Sequence, residues 1–232
     1  MRIPTIGFAL RSLALPLLLL QAQPALSASS SKALEEAMAQ DGLRKVGVKG
    51  IELAYVKPGA TLANYKRVKI DPVEVAFHKS WDPTRTGSNI KMSAAERQKI
   101  LDGVAKLVQE EFAREIGSKS GYAVTEESGD DVLRVKISIV NLYVTAPSGS
   151  SSGRSRTYVV SAGEMTLVAE LSDSKSGEVL ARVVDRRESR SAGPIALSGS
   201  VYNEGEARSI AATWARILRK ALDNAHAIPA SR

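Results

Sequence analysis

The chain has 232 residues, with 32 lysines and arginines against 25 aspartates and glutamates, and 44% of its residues are hydrophobic. This apolar share is normal for a globular protein, and the length suffices for one domain with a substantial core. The sequence contains no cysteine, which excludes disulfides, thiolate catalysis, cysteine-ligated zinc or iron–sulfur sites and attachment of lipid to a cysteine.

Residues 1–28 are predicted to be a secretory signal peptide. The segment has two arginines near its start, an apolar stretch that ends in four leucines, and then a polar part from Gln21. This order is typical of a signal peptide. A membrane span would need about 18 consecutive apolar residues, whereas Arg11 and Pro16 interrupt this stretch. Cleavage is expected after Ser27 or after Ala28, where the side chains are small.

Residues 29–50 are predicted to be a flexible lead-in, because serines and glycines are interspersed with charges there. The first strong strand is expected at residues 67–77. Val68 and Ile70 alternate on one parity, whereas the apolar residues after Pro72 alternate on the other. Since a slip of one residue would turn the apolar face outward, we expect a bulge at Pro72 that keeps both halves facing one core.

A long amphipathic helix is predicted after Ser93. Ser93 and Glu96 have the spacing of a capping box, in which each side chain satisfies a free amide of the first turn. Apolar residues then recur at steps of three and four from Ile100 to Ile116, with charged residues elsewhere around the helix. This periodicity predicts a helix of about six or seven turns that covers a sheet.

Three segments with strand-like alternation follow, at residues 133–139, 164–171 and 179–184. Such alternation is typical of antiparallel strands with one face on a core and the other in solvent. Residues 172–177 predict a turn, so the last two strands are expected to form a hairpin. Residues 146–155 and 189–202 are expected to be long loops, because they are rich in serine and glycine.

A second long helix is predicted with Asn203 as its N-cap and an apolar stripe from Ala207 to Leu222. These elements together predict an α+β fold: a mostly antiparallel sheet of about four to five strands with two long helices packed on one face. We expect a single domain at residues 51–226 and a tail at residues 227–232.

Several strings of the sequence are similar to those of a known family. They are Tyr55–Ala60, Tyr65–Val68, Ile70–Val75, Trp214–Leu218 and Leu222–Asp223. Over residues 51–226 the chain resembles the bacterial envelope family catalogued as domain of unknown function 3313. The resemblance implies an exported Gram-negative envelope protein without an established activity. Many members resemble lipoproteins with a lipid-bearing cysteine, which this sequence lacks, so a periplasmic form without that lipid is expected.

Ser151 lies in the string Gly149–Gly153, which matches the Gly-x-Ser-x-Gly pattern of a nucleophile elbow. Asp185 or Asp223 followed by His226 gives the chain order of a catalytic triad. An elbow, however, needs a strand before the serine and a helix after it, and the next element here is predicted to be a strand. Because a segment rich in serine and glycine matches this pattern readily, a linker is the favoured interpretation.

His78 is one of two histidines, and Asp71, Glu74 and Asp82 surround it in the sequence. These residues could bind a metal or form an acid/base pair. Glu74 and His78 share a strand parity, but their Cα atoms would be about 13 Å apart in a regular strand, too far for joint ligation. A polar face beside a bulge is the favoured interpretation, and a periplasmic hydrolase that uses Ser151 or His78 is the alternative function.

Without the signal segment the formal net charge falls from +7 to +5, because that segment holds two arginines and no acid. A positive excess favours acidic partners. Arg182 and Arg186 are predicted on the outward parity of one strand, and the adjoining loops carry Arg154, Arg156, Arg187 and Arg190. Guanidinium groups suit phosphate or carboxylate partners. The alternative is a solvated face on which the arginines pair with Glu170, Glu178 and Glu188.

The sequence thus predicts an exported periplasmic protein that is a non-catalytic binding or structural module with a basic outer sheet face. The expected partner is an envelope protein or an anionic envelope polymer or lipid. Nucleic acid is not expected, because aromatic residues are only 5% of the chain and export removes the protein from it. No cofactor, no metal and, after processing, no transmembrane helix are expected.

Overall fold

The computed structural model describes residues 32, 34–81, 93–118, 121–145, 161–188 and 200–227. The elements, in chain order, are a 3-10 helix (Gln40–Gly42), β1 (Arg44–Val46), β2 (Leu53–Val56), β3 (Arg67–Ile70), β4 (Glu74–Phe77), α1 (Ala94–Gly117), β5 (Ala123–Val124), β6 (Val132–Thr145), β7 (Ser161–Asp173), β8 (Val179–Glu188) and α2 (Ser200–Ala227). None of the helices in the described ranges combines the length and the apolar composition that a transmembrane segment requires.

The strands form one eight-stranded mixed sheet in the order β1-β2-β8-β7-β6-β3-β5, and β4 also pairs with β6. The pairs from β1 to β6 along this order are antiparallel, whereas β3 and β4 run parallel to β6 and β5 runs parallel to β3. The α+β class and the mostly antiparallel sheet are confirmed. The predicted number of strands is too low, because β1, β2 and β5 have only two to four residues each and show no alternation.

The phase change predicted at Pro72 divides the first long strand into β3 and β4. Both strands run along the same edge of β6, with Val68 opposite Leu133 and Val75 opposite Ile139. Val68 is fully buried, and Val75 packs against the same core. The prediction that both halves face one core is confirmed, but the predicted bulge is instead a break of three residues, 71–73, between two strands.

Helix α1 begins with the predicted capping box. The Ser93 hydroxyl oxygen accepts a hydrogen bond from the Glu96 amide at 3.2 Å, and the Ser93 amide donates to Glu96 Oε2 at 2.8 Å. Helix α2 begins at Ser200, so the prediction of Asn203 as its N-cap is wrong. The three residues before Asn203 include no glycine or proline, and nothing in them prevents an earlier helix start.

One principal core lies between the helices and one face of the sheet. It contains the apolar stripes of both helices and inward-facing residues of β3, β6, β7 and β8, among them Val104, Val108, Phe112, Ile116, Val68, Leu133, Ile137, Leu167, Leu180 and Trp214. Glu111 on α1 joins the two helices through an ion pair with Arg208 at 2.6 Å. Both long helices therefore pack on the same face of the sheet.

The opposite face of the sheet carries a second, smaller cluster. Tyr55 of β2 and Val184 of β8 belong to it, and Met38 and Leu43 pack against them. Each of these four side chains is at most 7% exposed. The segment predicted as a flexible lead-in thus contains the edge strand β1 and two buried side chains, which its glycines and charges did not indicate.

The predicted hairpin between β7 and β8 is present. Asp173 Oδ1 accepts hydrogen bonds from the amides of Lys175 at 3.0 Å and Ser176 at 2.7 Å. Gly177 has a positive φ of 74°, which glycine adopts without strain. The turn therefore sets the register that brings Ala169 opposite Val183.

Candidate functional site

The two outward arginines of β8 are paired with acids on the same face of the sheet. Arg182 Nε donates to Glu170 Oε2 at 2.8 Å and Nη2 donates to Asp41 Oδ2 at 2.6 Å. Arg186 forms an ion pair with Glu164 at 2.7 Å. The geometry is that of the predicted alternative, a face on which arginines and acids compensate one another. A binding role for this face stays a prediction.

Arg187 lies inside β8, because β8 continues to Glu188. The prediction that Arg187 lies in a loop is therefore wrong. Its guanidinium donates to Asp185 Oδ2 at 2.6 Å and to the Gly50 carbonyl at 2.5 Å. Asp185 is 4% exposed and also accepts from Trp214 Nε1 at 2.7 Å and from the Glu52 amide at 2.9 Å. These donors compensate a buried carboxylate that would otherwise be costly. Arg187 therefore serves an internal network.

Five predicted site residues lie outside the described residues: Asp82, Ser151, Arg154, Arg156 and Arg190. The predicted signal peptide, residues 1–28, lies outside them as well. The proposed roles of these residues stay predictions.

Of the polar cluster predicted around His78, the structure describes Asp71, Glu74 and His78, and each has a hydrogen-bond partner of its own. Arg134 Nε donates to Asp71 Oδ2 at 2.9 Å, and Ser138 Oγ donates to Glu74 Oε2 at 3.3 Å. His78 Nδ1 accepts from the amide two residues further along at 3.1 Å. Across the described ranges, no three histidine, aspartate or glutamate side chains are grouped so that they could hold a metal. These residues are satisfied separately beside the strand break.

The candidate triad acids occupy different places. Asp185 belongs to the network of β8, whereas Asp223 and His226 lie near the end of α2 and approach Tyr122. The Tyr122 hydroxyl donates to Asp223 Oδ1 at 3.0 Å and lies 3.3 Å from His226 Nδ1. Burial, followed by the hydrogen bond to Asp223, raises the pKa of Tyr122 to about 12. The hydroxyl is therefore a neutral donor at neutral pH.

An apolar cleft lies between α2 and the helix-facing surface of β2, β7 and β8. Its volume is about 140 Å³, and its lining surface is entirely apolar. The floor is buried and includes Phe112, Leu167, Ala169, Leu171, Ala181 and Trp214. The rim is half-buried or exposed and includes Val48, Ile51, Leu62, Ile217, Leu218 and Ala221. The cleft therefore combines a closed apolar floor with an open end.

Alanines on adjacent strands create this space. Val183 of β8 is opposite Ala54 of β2 on one side and Ala169 of β7 on the other. Ala181, two residues before Val183 on β8, also faces the helices. Alanine is depleted in strands, and cores are normally filled to high density. The cleft of about 140 Å³ is therefore a gap in this packing. An engineered cavity of similar size in another protein stays dry and admits benzene or xenon.

A polar pocket of about 290 Å³ adjoins the cleft. It is lined by residues 57–61, Asn64, Tyr65, Glu178 and Leu180. At three points of the chain, one residue lines the cleft and its neighbour in the sequence lines the pocket. The pairs, with the cleft residue first, are Val56 and Lys57, Leu62 and Thr61, and Ala181 and Leu180. Neighbouring residues therefore line the cleft and the pocket at these three points.

Lys57 and Glu178, which both line the polar pocket, form an ion pair. Their side chains are 35% and 51% exposed. The lining of the pocket includes a turn in which the Ala60 amide donates to the Lys57 carbonyl at 3.1 Å and Gly59 has a φ of 78°. Proline followed by glycine at the centre of the turn is typical of type II. This turn contains the Pro-Gly-Ala string on which the family resemblance depends.

The cleft was not predicted from the sequence. Alternation in β7 and β8 identifies Ala169 and Ala181 as inward-facing. It does not show that their side chains are too small to fill the space between the sheet and the helix. Two alanines on facing rows of neighbouring strands were the available signal.

Comparison with known proteins places the chain in a family. No curated protein matches it. It is similar to PelC of Paraburkholderia phytofirmans, a dodecamer, at 11% identity over 72% of this chain and 98% of that one, with a TM-score of 0.37. It is also similar to a DUF330 protein of Xanthomonas campestris, at 11% identity over 77% and 94% of the two chains, with a TM-score of 0.36. The model of the family described as protein of unknown function DUF3313 matches residues 31–218, and the chain belongs to this family.

Proposed function

We propose that this chain is an exported, non-catalytic envelope protein that binds an apolar, chain-like ligand in the apolar cleft. The observation that carries the proposal is the cleft itself, with its buried floor, its open end and its wholly apolar lining. Export rests on the predicted signal peptide at residues 1–28, with a periplasmic location after cleavage at Ser27 or Ala28.

An alkyl chain suits the cleft better than a peptide or a sugar. A polar ligand would lose its hydrogen bonds to water and would find no partner in an apolar lining, which is costly. An alkyl chain has no such bonds to lose, and each buried methylene contributes about 0.8 kcal/mol. The cleft is also preformed, so that binding does not require the core to open.

The non-catalytic part of the proposal is supported by the chemistry of the lining. The cleft is lined by no hydroxyl, carboxylate, imidazole or amine among the described residues. The buried carboxylate of Asp185, which contacts Trp214, already accepts three hydrogen bonds. General acid–base or nucleophilic catalysis needs such a group within hydrogen-bond reach of the substrate.

The proposal is tested by titrating the purified chain with octanol in a calorimeter at several temperatures. We expect saturable binding with a negative heat-capacity change, which marks burial of apolar surface. Octanediol, with a hydroxyl at each end of the same chain, is the matched control and should bind far more weakly, because one hydroxyl would be buried without a partner. Equal binding of the two ligands, or no binding of octanol, would contradict the proposal.

Export is tested separately by mass spectrometry of the protein from a periplasmic fraction. The proposal expects a mature N-terminus at Ala28 or Ser29. A chain that begins at Met1 and stays in the cytoplasm would overturn this part.

A further inference from the structure

We infer that Asp185 and Arg187 of β8 are positioning residues for the apolar cleft, because they hold the β1–β2 turn, residues 47–52, as a gate at its rim. An alkyl chain enters when the turn moves away from α2, and it is covered when the turn returns. The inference rests on the proposed binding of an alkyl chain, and it adds the residues that control entry and release of the ligand.

The β1–β2 turn forms one side of the rim of the cleft. Val48 and Ile51 of the turn line the cleft, and so do Ile217 and Leu218 of α2. The turn lies against α2 at Gly50, where an added Cβ atom would be 3.3 Å from Ile217 Cδ1. Glycine permits this approach and also the φ of 85° at this position. Movement of the turn away from Ile217 would therefore widen the mouth of the cleft.

Two hydrogen bonds attach the turn to β8. The Gly50 carbonyl accepts from Arg187 Nη2 at 2.5 Å, and the Glu52 amide donates to Asp185 Oδ1 at 2.9 Å. Arg187 Nε also donates to Asp185 Oδ2 at 2.6 Å, so the two side chains form one clamp. Hydrogen bonds to charged groups are stronger than those between neutral groups. The clamp therefore fixes the turn on both sides of Ile51, a residue that lines the cleft.

The β1–β2 turn has the features of a segment that opens locally. It joins strands of three and four residues, and β1 is an edge strand of the sheet. Four of the six residues of the turn are exposed. Short, exposed segments with little buried apolar surface open at a low free energy. Opening of the turn therefore requires release of the clamp, and the principal core stays intact.

Asp185 also connects the clamp to the floor of the cleft. Trp214 lines the cleft, and its Nε1 donates to Asp185 Oδ2 at 2.7 Å. The indole is thus beside both the clamp and the space that the ligand occupies. The NMR resonance of the Trp214 indole N–H can therefore report on ligand exchange through the gate.

The test compares Arg187→Lys with Arg134→Lys. Lysine at position 187 keeps a positive charge beside Asp185, but it lacks the guanidinium fork that reaches Asp185 and the Gly50 carbonyl together. Arg134 is the matched control, because it also forms an ion pair with an aspartate, Asp71. It lies on β6 and does not line the cleft.

Octanol is titrated into the full chain, and the line shape of the Trp214 indole resonance gives the rates of association and dissociation. We expect Arg187→Lys to raise both rates about tenfold and to change Kd less than twofold, because the clamp forms equally in the free and the bound chain. A factor of ten corresponds to about 1.4 kcal/mol, close to the contribution of one hydrogen bond to a charged group. Arg134→Lys should leave both rates unchanged.

Amide hydrogen exchange measures opening of the turn without a ligand. The Ile51 amide donates to the Val48 carbonyl, and the Glu52 amide donates to Asp185. Both amides should exchange about tenfold faster in Arg187→Lys and at the unmodified rate in Arg134→Lys. The amide of Ile137, which is fully buried on β6, should be accelerated much less. Equal acceleration at Ile137 would mean that Arg187 supports the whole fold, and the gate would be overturned.

The gate and the proposed function fail in different ways. If octanol binds to Arg187→Lys with unchanged rates, or if Kd rises because dissociation alone is faster, the gate is overturned and alkyl binding stands. If octanol does not bind to the unmodified chain, the proposed function is overturned and the gate with it.

Discussion

Filling the cleft by Ala181→Leu should stabilise the protein and abolish alkyl binding. Ala181 is 7% exposed and lines the cleft. It lies on β8 between Val56 of β2 and Leu171 of β7. A leucine there projects into space that α2 leaves empty.

The expected gain follows from the cavity. Leucine adds three carbon atoms to alanine, and each fully buried methylene contributes about 0.8 kcal/mol, so partial burial in the open cleft should raise the free energy of unfolding by about 1–2 kcal/mol. For a chain of this size, each kcal/mol shifts the melting temperature by about 2–4 °C. In a core without a cavity, the same enlargement would instead cost about 1–3 kcal/mol through overpacking. The sign of the change therefore distinguishes the two situations.

The assay is urea denaturation of the unmodified chain and of two variants, followed by octanol titration of each. Ala76→Leu is the control, because Ala76 is an exposed strand residue that does not line the cleft, and its effect should be within about 0.5 kcal/mol. The reasoning is refuted if Ala181→Leu is destabilised by about 1 kcal/mol or more, or if it binds octanol as well as the unmodified chain does.

Three further predictions concern the walls of the site and its support. Gly59→Ala should destabilise the chain by about 1–2 kcal/mol, because alanine at a positive φ is strained, whereas Gly47→Ala should not, since it has neither a positive φ nor a close neighbour. Asp185→Ala should cost about 3 kcal/mol or more in urea denaturation, because it leaves buried donors without an acceptor. Stability should fall between pH 10 and pH 12. Burial, followed by the interaction with Asp173, raises the pKa of Tyr65 from 10.0 to about 12 in the folded chain. The Tyr65 hydroxyl therefore loses its proton at a lower pH in the unfolded chain than in the folded chain.

Each of these predictions has a contradicting result. Equal stabilities of Gly59→Ala and Gly47→Ala would argue against the type II turn. Full stability of Asp185→Ala would mean that Arg187 and Trp214 do not depend on that carboxylate. Tyr65→Phe should reduce the loss of stability at alkaline pH, and the remainder belongs to Tyr122, whose pKa is also raised. An unchanged alkaline profile in Tyr65→Phe would exclude the role of its hydroxyl.

Long periodic elements could be predicted from the sequence. The capping box at Ser93 and the stripe from Ile100 to Ile116 define α1, and strict alternation defines β6. The change of phase at Pro72 even predicts that β3 and β4 face one core. In these cases the periodicity of burial matches the geometry of the element, so that local sequence is sufficient.

The remaining features depend on tertiary context. β1, β2 and β5 are too short to show a period, and their pairing is decided by the neighbours that they meet. The parallel pairing of β3 and β4 with β6 is a property of the topology and leaves no local pattern. Arg187 could not be assigned to the internal network, because the Gly50 carbonyl that accepts from it and the Trp214 ring that donates to Asp185 are brought near only by the fold.

The cleft illustrates the same limit at the level of side-chain size. A hydrophobic pattern counts Ala169 and Ala181 as core residues in the same way as leucine. Whether a gap remains depends on which residues of α2 lie above them, and the sequence alone does not provide that alignment. Packing density, and with it the candidate site, therefore becomes visible only in three dimensions.

The central claim, that an alkyl chain occupies the cleft beside Trp214, is tested most directly by fluorescence. The chain has two tryptophans, and Trp81, which stacks on Phe77, is removed by Trp81→Phe so that Trp214 alone reports. Octanol brominated at the end of its chain carries a heavy-atom quencher to the floor of the cleft. Saturable quenching of Trp214 by bromooctanol, absent with octanol and lost in Ala181→Leu, is the predicted result. Unchanged emission at concentrations where calorimetry records binding would contradict the account.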